Sequence, residues 1–274
     1  MSDKEKSIRR RQFLQTTVAA TAGASALTTF SQQSTADEHP VPTKRDYFEL
    51  RIHRVSSAEK AKIVAAYLKN ALVPALNRQG MDIVGVFQPI DEEQFDFYTL
   101  ITYPSLEMFG MVNGELERDQ GYQKAAAEYF AQPLKDPSFV RIESRLMKSF
   151  AGLPVLQLPS QSKEKAPRIF ELRIYESHNE HAARRKVEMF NKGEIKVMQD
   201  VEMAPVFFGE TLISSDVPNL TYMLSADDAE AHKKHWDAFK VHPEWQKMKG
   251  LERYKGTVSK IRSVMLKPTS FSHI

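Results

Sequence analysis

Two carboxylate–guanidinium pairs stand out along the chain, Glu49 with Arg51 and Glu171 with Arg173. The planar fork of an arginine matches a carboxylate or a carbonyl, so each pair could clamp an anionic or carbonyl-bearing ligand. The same spacing also suits a structural ion pair within a sheet, and the sequence leaves both readings open. His53 follows Arg51 by two residues, and Tyr175 takes its place after Arg173. A histidine there could move a proton or ligate a haem iron, or serve as a hydrogen-bonded structural group. Trp236, Phe239 and Trp245 follow as an aromatic row that either fills a core or walls an apolar pocket. His232 and His235, and likewise His178 and His181, have a spacing that holds a metal only when a third ligand arrives from elsewhere. The run Glu230-Ala231-His232-Lys233-Lys234-His235 reads instead as a solvated helix face, so no metal is expected. His242-Pro243-Glu244 reads as a helix break with an acid in the next first turn. There is no cysteine, hence no thiolate nucleophile or thiolate-held metal. No glycine-rich phosphate loop, nucleophile elbow or zinc-protease motif is present, and nothing assigns a cofactor.

The elements that must position these residues come as a repeat. Phe48-Glu49-Leu50-Arg51-Ile52 recurs as Phe170-Glu171-Leu172-Arg173-Ile174, 122 residues later. Tyr98 to Ile101 answers Leu220 to Met223, and Tyr122-Gln123-Lys124 answers Trp245-Gln246-Lys247. Strict alternation over Tyr47 to His53 predicts a strand, with Phe48, Leu50 and Ile52 on one face and Glu49, Arg51 and His53 on the other. A helix follows from the Ser56-Ser57-Ala58-Glu59 cap, with Pro74 expected to kink it or end it early. Strands over 81–88 and 95–103, a helical region over 105–130 interrupted near Gly114 to Gly121, and a strand over 139–150 complete the first unit. The second unit repeats the order over 168–175, 180–200, 201–213, 219–225, 227–249 and 255–266. Each unit is thus β-α-β-β-α-β, a ferredoxin-like arrangement with both helices on one face of an antiparallel sheet. Two such units over 46–150 and 168–268, packing sheet to sheet, predict a pseudo-dimeric α+β barrel. The Glu–Arg face of each first strand is expected to point where the sheets meet. Residues 151–167, rich in proline, glycine and serine, read as a surface linker.

The strand and late-helix patterns, Phe-Glu-Leu-Arg-x-Tyr at 170–175 and Trp236, Phe239, Pro243, Glu244, Trp245 and Gln246, resemble the NIPSNAP family of the dimeric α+β barrel superfamily. The first unit departs from it, with Gln120-Gly121-Tyr122-Gln123 where the second has Pro243-Glu244-Trp245-Gln246. The resemblance implies the fold and no particular reaction, since related barrels include small oxygenases, haem proteins and binders.

The chain has 274 residues, 38 basic and 35 acidic. Arg10-Arg11-Gln12-Phe13-Leu14 resembles a twin-arginine export signal, followed by an uncharged Ala/Thr-rich run. Residues 1–36 read as that leader and a flexible segment, with Ser34-Thr35-Ala36 a cleavage candidate, so the mature protein is expected in the periplasm or outside the cell. The leader carries five of the basic and two of the acidic residues, leaving 33 of each. A neutral mature chain lacks the basic excess that nucleic-acid binding needs. No run approaches the roughly 20 apolar residues of a membrane span. The expectation is an exported scaffold that binds a small apolar or anionic molecule or a protein partner, with a homo-oligomer left open. The alternative is a barrel-type small-molecule oxygenase or cofactor-assisted enzyme working through Arg51, His53, Arg173 and Tyr175.

Overall fold

A computed structural model describes residues 44–274. The segment 1–36, with its Arg10, Arg11, Phe13 and Leu14 motif, lies outside the described residues. Among the described residues no helix is long and apolar enough to cross a membrane.

The first half runs β1 (Tyr47–Arg54), α1 (Ala58–Tyr67), a π-helical turn (Leu68–Leu72), α2 (Val73–Arg78), β2 (Val84–Pro89), β3 (Phe97–Tyr103), α3 (Leu106–Arg118), α4 (Gln120–Ala125), α5 (Ala127–Phe130) and β4 (Arg141–Ser149). After the short α6 (Ser160–Glu164), the second half runs β5 (Ile169–Glu176), α7 (Glu180–Met189), a second π-helical turn (Phe190–Glu194) and α8 (Ile195–Asp200). It ends with β6 (Pro205–Ile213), β7 (Asn219–Ala226), α9 (Ala229–Val241), α10 (Pro243–Lys249) and β8 (Lys260–Pro268). The helix caps repeat with the elements: Ser57 and Asn179 cap α1 and α7, and Ser105 and Asp228 cap α3 and α9.

The strands close an antiparallel barrel in the order β1-β3-β2-β8-β5-β7-β6-β4, returning to β1. Each half contributes four adjacent strands, and the halves join edge to edge through β2–β8 and β4–β6. The inward rows of both halves, including Phe48, Leu50, Phe170, Leu172, Phe207 and Met223, pack together in the interior. Two further cores lie outside it, under the helices of each half.

Two expectations change, and a third is located. The helix does not end at Pro74: the π turn comes first, and α2 continues with Pro74 in its first turn, where a missing N–H costs no bond. The turn recurs in the second half, where Lys196 stands in the place of Pro74, so it belongs to the fold and not to the proline. The second helical region breaks at Asp119, within the expected Gly114 to Gly121 interval; the Asp119 carboxylate accepts from the backbone N–H of Tyr122 and caps α4. The 151–167 segment is partly interior, because its composition hides three leucines: Leu153 is buried, and Leu156 and Leu158 pack against the barrel core.

Candidate functional site

Strand alternation puts Phe48, Leu50 and Ile52 inside the barrel, and Glu49, Arg51 and His53 under the helices. This corrects the expected direction of both Glu–Arg pairs. An eight-stranded barrel has room inside for side chains and at most one small molecule, and the apolar rows of both halves take most of that space. The polar row therefore takes the outer face, which the helices also bury, and there it must satisfy itself.

In the second half four donors converge on one carboxylate. Glu171 Oε1 accepts from Arg173 Nη1 at 2.5 Å and Ser263 Oγ at 2.6 Å. Its Oε2 accepts from Trp236 Nε1 at 2.8 Å and lies 2.8 Å from His232 Nε2. Burial opposes the charge of Glu171, but the hydrogen bond from His232, the charge of Arg173 and the bonds from Ser263 and Trp236 outweigh it and hold the carboxyl down to about 2. Being ionised it only accepts, so His232 Nε2 is the donor. The Arg173 guanidinium lies over the Trp236 ring, 4.6 Å from its centroid, and its Nε donates to the Tyr175 hydroxyl at 3.3 Å. Tyr175 in turn accepts from Tyr222 at 2.8 Å. Phe239 is core, and links Trp236 (centroids 5.4 Å apart) to Trp245 (4.6 Å). Behind Tyr175 lies a buried ion pair, Lys186 Nζ to Glu194 Oε2 at 2.6 Å, with the Phe190 and Trp245 rings around the ammonium.

In the first half Glu49 Oε1 accepts from Arg51 Nε at 2.6 Å and Ser144 Oγ at 2.7 Å. The third donor is the Tyr103 hydroxyl, at 2.9 Å from Oε2. His53 is 2% exposed, with the rings of Tyr67, Tyr129 and Phe139 edge-on around it, 6.0–6.4 Å between centroids. Its Nδ1 has no hydrogen-bond partner among the described residues. Burial, and then the charge of Arg51, push His53 down to about 4 against the pull of Glu49, so it is neutral at pH 7.

The structure thus gathers Glu171, Arg173, Tyr175 and Trp236 around one node, with Phe239 and Trp245 extending its aromatic wall. Glu49, Arg51 and His53 belong to a separate node in the other half. His232, read from the sequence as part of a solvated face, is only 21% exposed at its side chain and engages Glu171, because it occupies the inward stripe of α9. His235 turns to a surface cleft beside Gln199 and Asp227, and His178 and His181 are exposed. Among the described residues no group of three or more His, Asp or Glu side chains could hold a metal ion. Sequence reading also missed the serines. Their signal was Ile142-Glu143-Ser144 recurring as Ile261-Arg262-Ser263, which puts each serine directly across from Arg51 or Arg173. A carboxylate that orients an imidazole and a guanidinium together can bind an acid or carbonyl and exchange a proton with it.

Residues 170–273 match the NIPSNAP family model. No curated protein matches the chain. Among solved structures, a monooxygenase-like protein of Fusobacterium nucleatum is 8% identical with a TM-score of 0.53, the similarity covering 82% of this chain and 93% of that one. A monooxygenase-like protein of Lactobacillus acidophilus is 10% identical with a TM-score of 0.51, covering 82% and 94%. Both share the fold. A NIPSNAP-like domain protein of Burkholderia xenovorans is 22% identical over 38% of this chain and 88% of its own, with a TM-score of 0.35. The match to the NIPSNAP family model thus spans the second half of an eight-stranded antiparallel α+β barrel.

Proposed function

We propose that this chain is an exported binding protein whose second half takes a small molecule with an apolar body and an acidic or carbonyl group. The sequence supports export through Arg10-Arg11-Gln12-Phe13-Leu14 and the uncharged run after it. The observation that carries the binding reading is the state of Arg173. Glu171 holds its Nη1, Tyr175 holds its Nε and Trp236 supports its plane, while Nη2 has no hydrogen-bond partner among the described residues. A guanidinium so oriented and half-buried presents one edge to an incoming oxygen, with the indole beside it for apolar contact.

The test is thermal stability against a set of small aromatic and aliphatic acids and ketones, since a ligand of the folded state raises the midpoint by mass action. A compound that stabilises the parent, and no longer does so after Arg173→Lys or Trp236→Phe, is expected. Stabilisation unchanged by both substitutions would refute the site.

A second reading, a barrel-type small-molecule oxygenase or cofactor-assisted enzyme, is favoured by one feature of the first half. His53 offers a neutral, unpartnered Nδ1 within an aromatic enclosure beside Arg51. That atom could take a proton from a bound phenol or enol while Arg51 stabilises the anion. Oxygen uptake with phenolic substrates, lost on His53→Phe, would move the assignment to this reading.

A further inference from the structure

The two ends of the barrel are closed differently. In a closed antiparallel ring neighbours alternate in direction, so β1 and β5, four places apart, run the same way, and equivalent residues of the two halves lie at the same level. Where β1 and β5 begin, the interior is packed by rings, Phe48 on Phe207 at 5.0 Å and Phe87 on Phe170 at 4.9 Å, together with the fully buried Ile274. Where they end, the interior holds a cavity of about 190 Å³. Its walls are Ile52 and Tyr98 from the first half and Leu172, Ile174 and Val264 from the second. Its rim carries Arg54, Arg145, Arg262, Ser263 and Glu143; behind the rim Asp96 pairs with Arg54, Asp216 with Arg145 and Arg262, and Glu176 with Arg262.

Packing of the barrel does not demand this polarity. By the offset that relates Ser144 to Ser263, Arg145 corresponds to Val264, so the same position in the other half is aliphatic. Arg145 is nevertheless buried, held by Asn219 Oδ1 at 2.6 Å and Asp216 Oδ2 at 2.8 Å. Strand pairing corrects the sequence alignment of Tyr98 with Leu220 by one residue: Tyr98 lies opposite Ile52 and Thr221 opposite the cavity-lining Ile174, so Tyr98 corresponds to Thr221, whose fully buried hydroxyl has no partner among the described residues. Arg54 is held differently from Arg145. Its Nη1 donates to Asp96 at 2.7 Å, while Nε and Nη2 form a bidentate pair with Glu143 at 2.9 and 3.0 Å. The Glu143 side chain is 46% exposed, and an exposed partner of that kind is readily exchanged for another carboxylate.

We infer that this mouth of the barrel binds a small monocarboxylate with an apolar body of about one aromatic ring, its carboxylate replacing Glu143 on the fork of Arg54. An apolar cavity of roughly 150 Å³ accommodates benzene, which sets the size of the body. Bidentate pairing with guanidinium sets the head group. The site faces the barrel interior, on the opposite side of β5 from Glu171 and Arg173, and does not depend on the function proposed above.

Benzoate titrated calorimetrically into the full-length protein, with benzyl alcohol and inorganic phosphate as comparisons, tests the inference. Benzoate alone should bind. Glu143→Gln should tighten it several-fold by removing the competing carboxylate, Arg54→Gln should weaken it about tenfold, and Ile174→Phe should fill the cavity and abolish it. Arg173→Lys should leave it unchanged, which separates this site from the one between β5 and α9. Failure of both the parent and Glu143→Gln to bind benzoate at about 10 mM would overturn the proposal. So would binding indifferent to both Arg54 and Ile174, or equal binding of benzyl alcohol or phosphate.

Discussion

The two halves hold the same Glu–Arg–Ser arrangement and finish it in opposite ways. In the first, one buried phenol, Tyr103, supplies the last donor to Glu49, and the Phe109 ring packs edge-on against it at 5.5 Å. In the second, the positions of Tyr103 and Phe109 are Ala226 and His232, and Asn113 becomes Trp236. The small Ala226 leaves room for the imidazole and indole of α9 to reach Glu171. Duplication has kept the node that the barrel needs and varied the group that closes it. One half is sealed by an aromatic wall, and the other is bounded by two half-buried side chains that a ligand can meet.

The largest expected consequence of this divergence lies away from the node. Lys186 and Glu194 stand where the first half has Val64 and Leu72, on the same helix and the same π turn. Both are buried, and burial raises the Glu194 carboxyl against the opposing pull of Lys186. Glu194→Leu alone strands a buried ammonium and should cost about 3–5 kcal/mol in denaturant unfolding. Adding Lys186→Val restores the pattern of the first half and should recover all of it, or overshoot by about 1–4 kcal/mol. If the double variant is as unstable as the single one, the halves are not interchangeable at this level and the comparison fails there.

The next effect concerns His53 against Tyr175. The folded His53 titrates near 4 instead of the usual 6.5, so between those values the unfolded chain binds the proton that the folded chain refuses. Stability from this residue is therefore complete above pH 6.5 and lost as pH falls toward 4, by up to about 3 kcal/mol. His53→Phe removes the titration and the unpartnered nitrogen. The variant should match or exceed the parent at pH 7, and its advantage should widen between pH 6.5 and 4. Parallel stability profiles for the two proteins would show that His53 is solvated or paired.

Much of this fold is legible in the residues themselves. Five identical consecutive positions at an offset of 122 announce the duplication, and the alternation around them gives β1 and β5 their bounds within a residue or two. Which side of the strand faces the barrel is not legible. A strand buried on both faces still alternates, and alternation records only that Phe48, Leu50 and Ile52 differ from Glu49, Arg51 and His53, not which row meets helices. His232 was hidden for a related reason. Its neighbours Lys233 and Lys234 are exposed, and its own burial depends on Ala226 being small, a condition six residues away in sequence and on another element. Lys186 and Glu194 read as ordinary charges of a helix; only comparison with Val64 and Leu72 marks them as interior.

The smallest effect isolates the closing group itself. Tyr103→Phe keeps the ring and its contact with Phe109, and removes only the hydroxyl that donates to Glu49 Oε2. Glu49 is buried, so the lost donor leaves an acceptor without compensation, and the expected cost is about 1–3 kcal/mol. The matching change in the second half, Trp236→Phe, also removes one donor, but there His232, itself 21% exposed, still holds Glu171 Oε2. Its cost through that bond should be smaller, about 0.5–1.5 kcal/mol. Urea unfolding of the two variants compares the nodes directly. The two carboxylates are equally buried, so a larger loss for Tyr103→Phe supports a second node in which His232 keeps Glu171 Oε2 satisfied; equal losses would mean that His232 does not compensate for the indole, and that α9 closes its half no differently from Tyr103.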